Sequence, residues 1–156
     1  VVATTDSNYL LVACGEMGFA IMNISDFQLG FGTYPVAGWK DTPGYAVDIV
    51  NHPTQPVAFL ACGTAGFVII NYADTSDIKI MGSYSTGGYA KEILYLDNKV
   101  FVTTETRGLQ VFDVSNFSSP IKNGTVQTKF ALGVYADDKY IYIADEVEGL
   151  VVISRP

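Results

Sequence analysis

"AGFVIINYAD", residues 65–74, reads as one buried strand, an apolar run between a glycine and a polar turn. The chain then says nearly the same thing three more times. "MGFAIMNISD" begins at Met17, "RGLQVFDVSN" at Arg107 and "EGLVVISRP" at Glu148. Aligning the glycine and the apolar residue after it pairs Gly18-Phe19, Gly66-Phe67, Gly108-Leu109 and Gly149-Leu150, at spacings of 48, 42 and 41 residues.

More than the anchor recurs. A second strand precedes each pair: "YLLVACG" from Tyr9, "VAFLACG" from Val57, "VFVTTE" from Val100 and "YIYIADE" from Tyr140. Before it comes another in three units: "YAVDIV" from Tyr45, "YAKEIL" from Tyr89 and "FALGVY" from Phe130. After the pair comes a weaker one: "FGTYPV", "IKIMGSYS" and "IKNGTVQ". These segments are rich in Val, Ile, Tyr and Phe and are bounded by Gly, Asp, Asn, Ser and Pro, the chemistry of short strands and tight turns. No segment carries a helical apolar stripe.

A period of about 40–45 residues holding four strands is the pattern of a β-propeller blade. One blade cannot bury both faces, and stacking blades around an axis does, which explains the repetition. The predicted fold is all-β: a β-propeller of about four four-stranded antiparallel blades, in units of about 1–41, 42–86, 87–128 and 129–156. Unit one lacks most of its first strand and unit four stops at Pro156 before a fourth. Three readings remain: a small closed propeller, a piece of a larger one, or a half-ring completed by another chain.

The units resemble LVIVD repeats, through "FAIMNIS", "FVIINYA", "LQVFDVS" and "LVVIS", with "TPGYA" at Thr42, "TGGYA" at Thr86 and "SNFSSP" at Ser115 in support. Asn23, Asn71 and Ser154 stand at or near the place where that family prefers Asp, and Asp113 alone keeps it. The resemblance implies a propeller in a cell-surface or secreted protein, and no catalytic residues, because the repeat is a scaffold motif.

Composition bounds the function. The chain has 156 residues, 49% hydrophobic and 16% charged, enough for one domain with a real core and unlike a disordered chain. Its net charge of −7 and nine scattered basic residues argue against nucleic acid and against anionic membranes. No apolar run reaches the roughly 20 residues of a spanning helix, so membrane insertion by this segment is not expected. The opening "VVATT" has neither an initiator Met nor a signal-peptide pattern, and reads as a processed or trimmed polypeptide.

Candidate sites are few. Asp48 and Glu92 occupy one position in successive first strands, with Gly133 in the fourth unit, so carboxylates would line the axial channel. Two are too few to specify Ca²⁺, which takes 6–8 oxygens. Asp145, Glu146 and Glu148 read as a solvated hairpin tip. Cys14 and Cys62 share one repeat position in "ACG", which predicts two separate buried thiols, not a disulfide. His52, in the Pro-rich "NHPTQP", reads as a surface loop residue. Three sequons begin at Asn23, Asn116 and Asn123, more than seven Asn give by chance, and point to N-linked glycans. Among the aromatics, Tyr34, Trp39 and Tyr84 fall on the outer-strand side, where a contact surface could form, while core packing accounts for most of the others.

Two functions follow. The first is a non-enzymatic extracellular or cell-surface structural module that binds a protein partner or its own copies through blade edges, forming oligomers or filaments. The second is a ligand- or cation-binding, even catalytic, propeller whose axial mouth uses Asp48 and Glu92, with Tyr45 and Tyr89. No cofactor and no metal site is expected.

Overall fold

The computed structural model describes residues 1–25 and 35–155. Four antiparallel sheets follow one another along the chain, each with its strands in sequence order. Blade 1 is β1 (Val2–Ala3), β2 (Tyr9–Ala13), β3 (Phe19–Asn23) and β4 (Val36–Lys40). Blade 2 is β5 (Asp48–Asn51), β6 (Val57–Ala61), β7 (Phe67–Asn71) and β8 (Lys79–Tyr84). Blade 3 is β9 (Ile93–Leu96), β10 (Lys99–Thr103), β11 (Leu109–Asp113) and β12 (Ile121–Val126). Blade 4 is β13 (Ala131–Ala136), β14 (Tyr140–Asp145) and β15 (Gly149–Ser154), a three-stranded sheet. Blade 1 begins with a two-residue strand, as the alignment of the repeats requires.

Three hydrophobic cores hold the arc together, one in each seam between consecutive blades. Blade 2 has a neighbour on both sides, so every residue of β6 and the first four of β7 are buried. That double burial is why "FVII" is continuous instead of alternating. In β15, with a neighbour on one side only, exposure alternates along the strand. Among the described residues no core joins blade 4 back to blade 1, so the sheets form an arc and not a closed ring.

Three of the four β3-type strands, β3, β7 and β11, end in the same local device. The side-chain oxygens of Asn23, Asn71 and Asp113 accept the N–H two residues on, from Ser25, Ala73 and Ser115, at 2.9, 2.8 and 2.8 Å. An Asx turn needs only an acceptor oxygen, so Asn serves as well as Asp there. Each outer strand then carries a one-residue bulge, opposite the steps Ile21/Met22, Ile69/Ile70 and Val111/Phe112. Beside each bulge sits a glycine: Gly38, Gly82 and Gly124. A Cβ on Gly38 would lie 2.2 Å from the Thr75 carbonyl oxygen of the next blade, and one on Gly82 would lie 2.2 Å from that of Phe117. The following blade's loop therefore rests its backbone on this glycine.

His52 is not a surface loop residue. It is buried in the seam between blades 2 and 3, with its ring centroid 4.9 Å from Tyr95 and 5.9 Å from Phe117. Its Nδ1 accepts the N–H groups of Thr54 and Gln55, each at 3.2 Å, so the imidazole caps its own turn. Proline and threonine around it predicted a turn correctly, but the turn folds its first side chain inward. Burial lowers the His52 pKa, and a proton on Nδ1 would remove the acceptor that both N–H groups use.

Two expectations follow. Gly82→Ala costs about 1–3 kcal/mol by forcing the Phe117 backbone away, whereas Gly124→Ala, with nothing within 4 Å of its Cβ, stays within about 0.5 kcal/mol of the parent. Urea midpoints compare them. For His52, a base with a lowered folded pKa, stability is complete above the unfolded value near 6.5 and falls as pH drops through it. His52→Asn keeps an acceptor in the turn, so its stability relative to the parent should improve between about pH 7 and about pH 5.

Candidate functional site

The structure places Asp48 and Glu92 in the seams between blades. Asp48 Oδ2 accepts the N–H of Ile93 at 3.0 Å, and Glu92 Oε2 accepts the N–H of Val134 at 3.2 Å. Each carboxylate thus reaches across a seam to the N–H one residue past its own matching position in the next blade. Gly133 makes room for the longer of the two, since a Cβ there would lie 2.9 Å from Glu92 Oε2. Thr103 extends the link: its Oγ1 accepts the Glu92 N–H at 3.0 Å and donates to Leu132 O at 3.1 Å. Burial pushes the Glu92 carboxyl up, the negative Asp48 adds to this, and the Val134 N–H opposes both. Among the described residues no three His, Cys, Asp or Glu side chains come together to hold a metal.

Tyr45 and Tyr89 lie against the preceding blade's hairpin, where a Cβ on Gly15 would be 2.8 Å from the Tyr45 ring and one on Gly63 would be 3.0 Å from that of Tyr89. The backbone under these rings forms a bridge between blades. Gly15 and Ala46 exchange two hydrogen bonds, Ala90 donates to Gly63, and Glu105 and Ala131 again exchange two. All three hairpin residues are left-handed, with φ of 60° at Gly15, 56° at Gly63 and 50° at Glu105.

The fourth hairpin differs, and the sequence reading of it needs correction. Asp145 is buried, not part of a solvated tip; Glu146 and Glu148 are exposed. Its Oδ1 accepts the N–H groups of Val147 and Glu148 at 2.8 Å each, and its Oδ2 that of Phe130 at 2.6 Å. Desolvation raises this carboxyl, but the donated N–H groups outweigh it and hold the pKa at about 2. Asp145 stands at the repeat position of Cys14, Cys62 and Thr104. Both thiols are free: Cys62 is buried, which raises its pKa to about 11, but Cys14 is only half-buried because blade 1 ends the arc.

Of the three sequon residues, Asn116 and Asn123 are exposed, the second at the bulge of β12, and Asn23 is half-buried. Trp39 is exposed on β4 and donates its indole N–H to Met17 O at 2.5 Å. Tyr84 turns into the seam instead, its ring 4.6 Å from Phe112. Tyr34 lies outside the described residues.

A groove of about 760 Å³ opens between blades 1 and 2, lined among others by Thr4, Asp6, Tyr9, Ile21, Tyr72 and Thr75. The signal for it was the unequal pair Thr75 and Phe117, each nine residues after the repeat glycine, Gly66 or Gly108.

The carboxylate links are tested by isosteres. Asp48→Asn and Glu92→Gln keep an acceptor oxygen, and Glu92→Gln also removes a half-buried carboxyl, so both should fold with near-parental stability. Asp48→Ala and Glu92→Ala, which strand the partner N–H, should each cost about 1–3 kcal/mol in urea unfolding.

Residues 87–128 and 131–154 match the LVIVD repeat family. No curated protein matches the chain. Among solved structures, the fold is similar to that of the computationally designed Ika8 protein, with a TM-score of 0.72, 7% identity, and 94% of this chain on 43% of that one. It is also similar to that of U3-55K, with a TM-score of 0.67, 9% identity, and 97% of this chain on 44% of that one. At such identities the likeness concerns the fold alone, and the chain spans less than half the length of either structure. Four antiparallel sheets in sequence order, joined face to face in successive seams, make this an open β-propeller arc, and its third and fourth blades match the LVIVD repeat family.

Proposed function

We propose that the chain is a non-enzymatic extracellular repeat module that works by contact, and that its partner is a second copy of itself. The observation that carries this reading is the outer face of blade 4. By strand register, Tyr140, Tyr142, Leu150 and Val152 stand where Val57, Phe59, Phe67 and Ile69 stand in blade 2. The blade 2 set is sealed in a seam; Tyr140, Leu150 and Val152 are 42%, 67% and 47% exposed. The face is built like a blade seam, and no blade covers it among the described residues.

The other end of the arc offers the complement. On blade 1, Leu10, Val12, Ala20 and Met22 repeat the positions of Ala58, Leu60, Val68 and Ile70, which pack blade 2 against its predecessor. Docking blade 4 of one copy on blade 1 of the next reuses the geometry of the internal seams. Such a contact is heterologous, so it gives a ring if the rotation closes and a filament if it does not. Exposed Asn116 and Asn123 support the extracellular part of the reading, since a glycan on either points away from the seams.

Native mass by light scattering, beside intact denatured mass, tests both parts. The parent chain should exceed monomer mass in a concentration-dependent way, and Leu150→Asp with Val152→Lys should return it to monomer. A parent that stays monomeric throughout would overturn self-assembly. After passage through a eukaryotic secretory pathway, the denatured mass should carry sugar increments that Asn116→Gln with Asn123→Gln removes; their absence counts against the glycosylated, extracellular reading.

A further inference from the structure

We propose that the groove between blades 1 and 2 is a binding site for a small aromatic amine. The argument rests on a comparison the molecule makes with itself. One seam on, between blades 2 and 3, the corresponding place is filled by the ring of Phe117, which packs at 6.0 Å on Phe59 and at 5.9 Å on His52, with Tyr95 stacked on Phe59 at 4.9 Å. Strand register sets Leu11, Thr4 and Asn51 at the positions of Phe59, His52 and Tyr95. Thr75 takes the place of Phe117, since their carbonyl oxygens would each lie 2.2 Å from a Cβ added to Gly38 or Gly82.

The four aromatic positions are therefore non-aromatic in the first seam, which shares the backbone bridge of the second, while Tyr9 and Tyr72 stand there at the places of Val57 and Val114. What remains is a groove at the place of the Phe117 side chain, with the Tyr9 and Tyr72 rings in its wall. Ile21, Tyr9 and Tyr72 supply apolar wall, and Thr4, Thr75 and Gln55 supply polar rim.

Charge narrows the ligand. The described lining includes two carboxylates, Asp6 and Asp74, and no Lys or Arg. Asp6 is held low by hydrogen bonds from Thr4 and Asn8, and Asp74 by bonds from Ser76, so both are anionic at neutral pH. The Tyr72 phenol is raised by burial and next by the charge of Asp6, which shows that carboxylate acting on the groove wall. An anionic ring compound would meet two like charges there. An ammonium on a short arm beyond the ring would meet two opposite ones, and tyrosine faces also favour a cation.

Phenethylamine is the probe, with phenylacetate as its anionic match and butylamine as its ringless match, followed by amide chemical shifts on the full chain. Phenethylamine should perturb Thr4, Tyr9, Tyr72 and Thr75 saturably, with phenylacetate at least about tenfold weaker, a difference near 1.4 kcal/mol, and butylamine without a saturable effect. Thr75→Phe should fill the groove from within, raise the unfolding midpoint and abolish the phenethylamine shifts. Thr75→Leu makes the same test if the larger side chain does not fold. Absence of saturable shifts for phenethylamine, shifts that survive Thr75→Phe or Thr75→Leu, or equal binding of phenylacetate would each overturn the proposal. The outcome is independent of self-assembly, which uses the outer faces of blades 1 and 4.

Discussion

The arc depends on a left-handed residue at the tip of the first three β2–β3-type hairpins. At Gly15, Gly63 and Glu105 the chain turns so that its backbone can pair with Ala46, Ala90 and Ala131 of the following blade. The bridge sets the distance and angle between consecutive sheets before any side chain is considered. Glycine adopts this conformation freely, whereas a side chain there costs about 1–2 kcal/mol. Glu105 carries that strain, and its place in the chain shows that the bridge outranks local preference.

Once the bridge fixes the seam, everything else must fit a gap of constant width. Asp48 and Glu92 span it near the axis, each reaching the next blade's N–H, and Gly133 yields room where the longer Glu needs it. At the rim, loop backbones rest on Gly38 and Gly82. Between these limits the side chains vary. The second seam is filled by Phe59, Tyr95, Phe117 and His52, while the first leaves a groove. Constant backbone spacing with changing side chains is how a repeat protein can make one seam structural and another receptive.

Much of the fold was legible because a blade face has only two periodicities to satisfy. Strand alternation and the 41–48 residue repeat name the strands, their order and their blade assignment. The acidic pair at Asp48 and Glu92 was legible too, as a shared repeat position, but not its partners, since a carboxylate's acceptor role depends on an N–H 45 or 42 residues away. His52 and Asp145 were misread for the same reason. Both sit in polar turns, and whether a turn's side chain faces water or the interior depends on the neighbouring sheet. Burial of Asp145 is tolerated because three N–H groups replace its water.

By itself the sequence determined the all-β class, the repeat and the continuous apolar strands of the sandwiched blade. These are local or periodic properties, written in neighbouring residues. Only the tertiary structure decided that four blades form an arc with two seam-like outer faces, that His52 and Asp145 are interior, and that the first seam keeps a groove where the second holds a ring. Those outcomes depend on contacts between residues far apart in the chain, whose distances are set by sheet packing and not by their order.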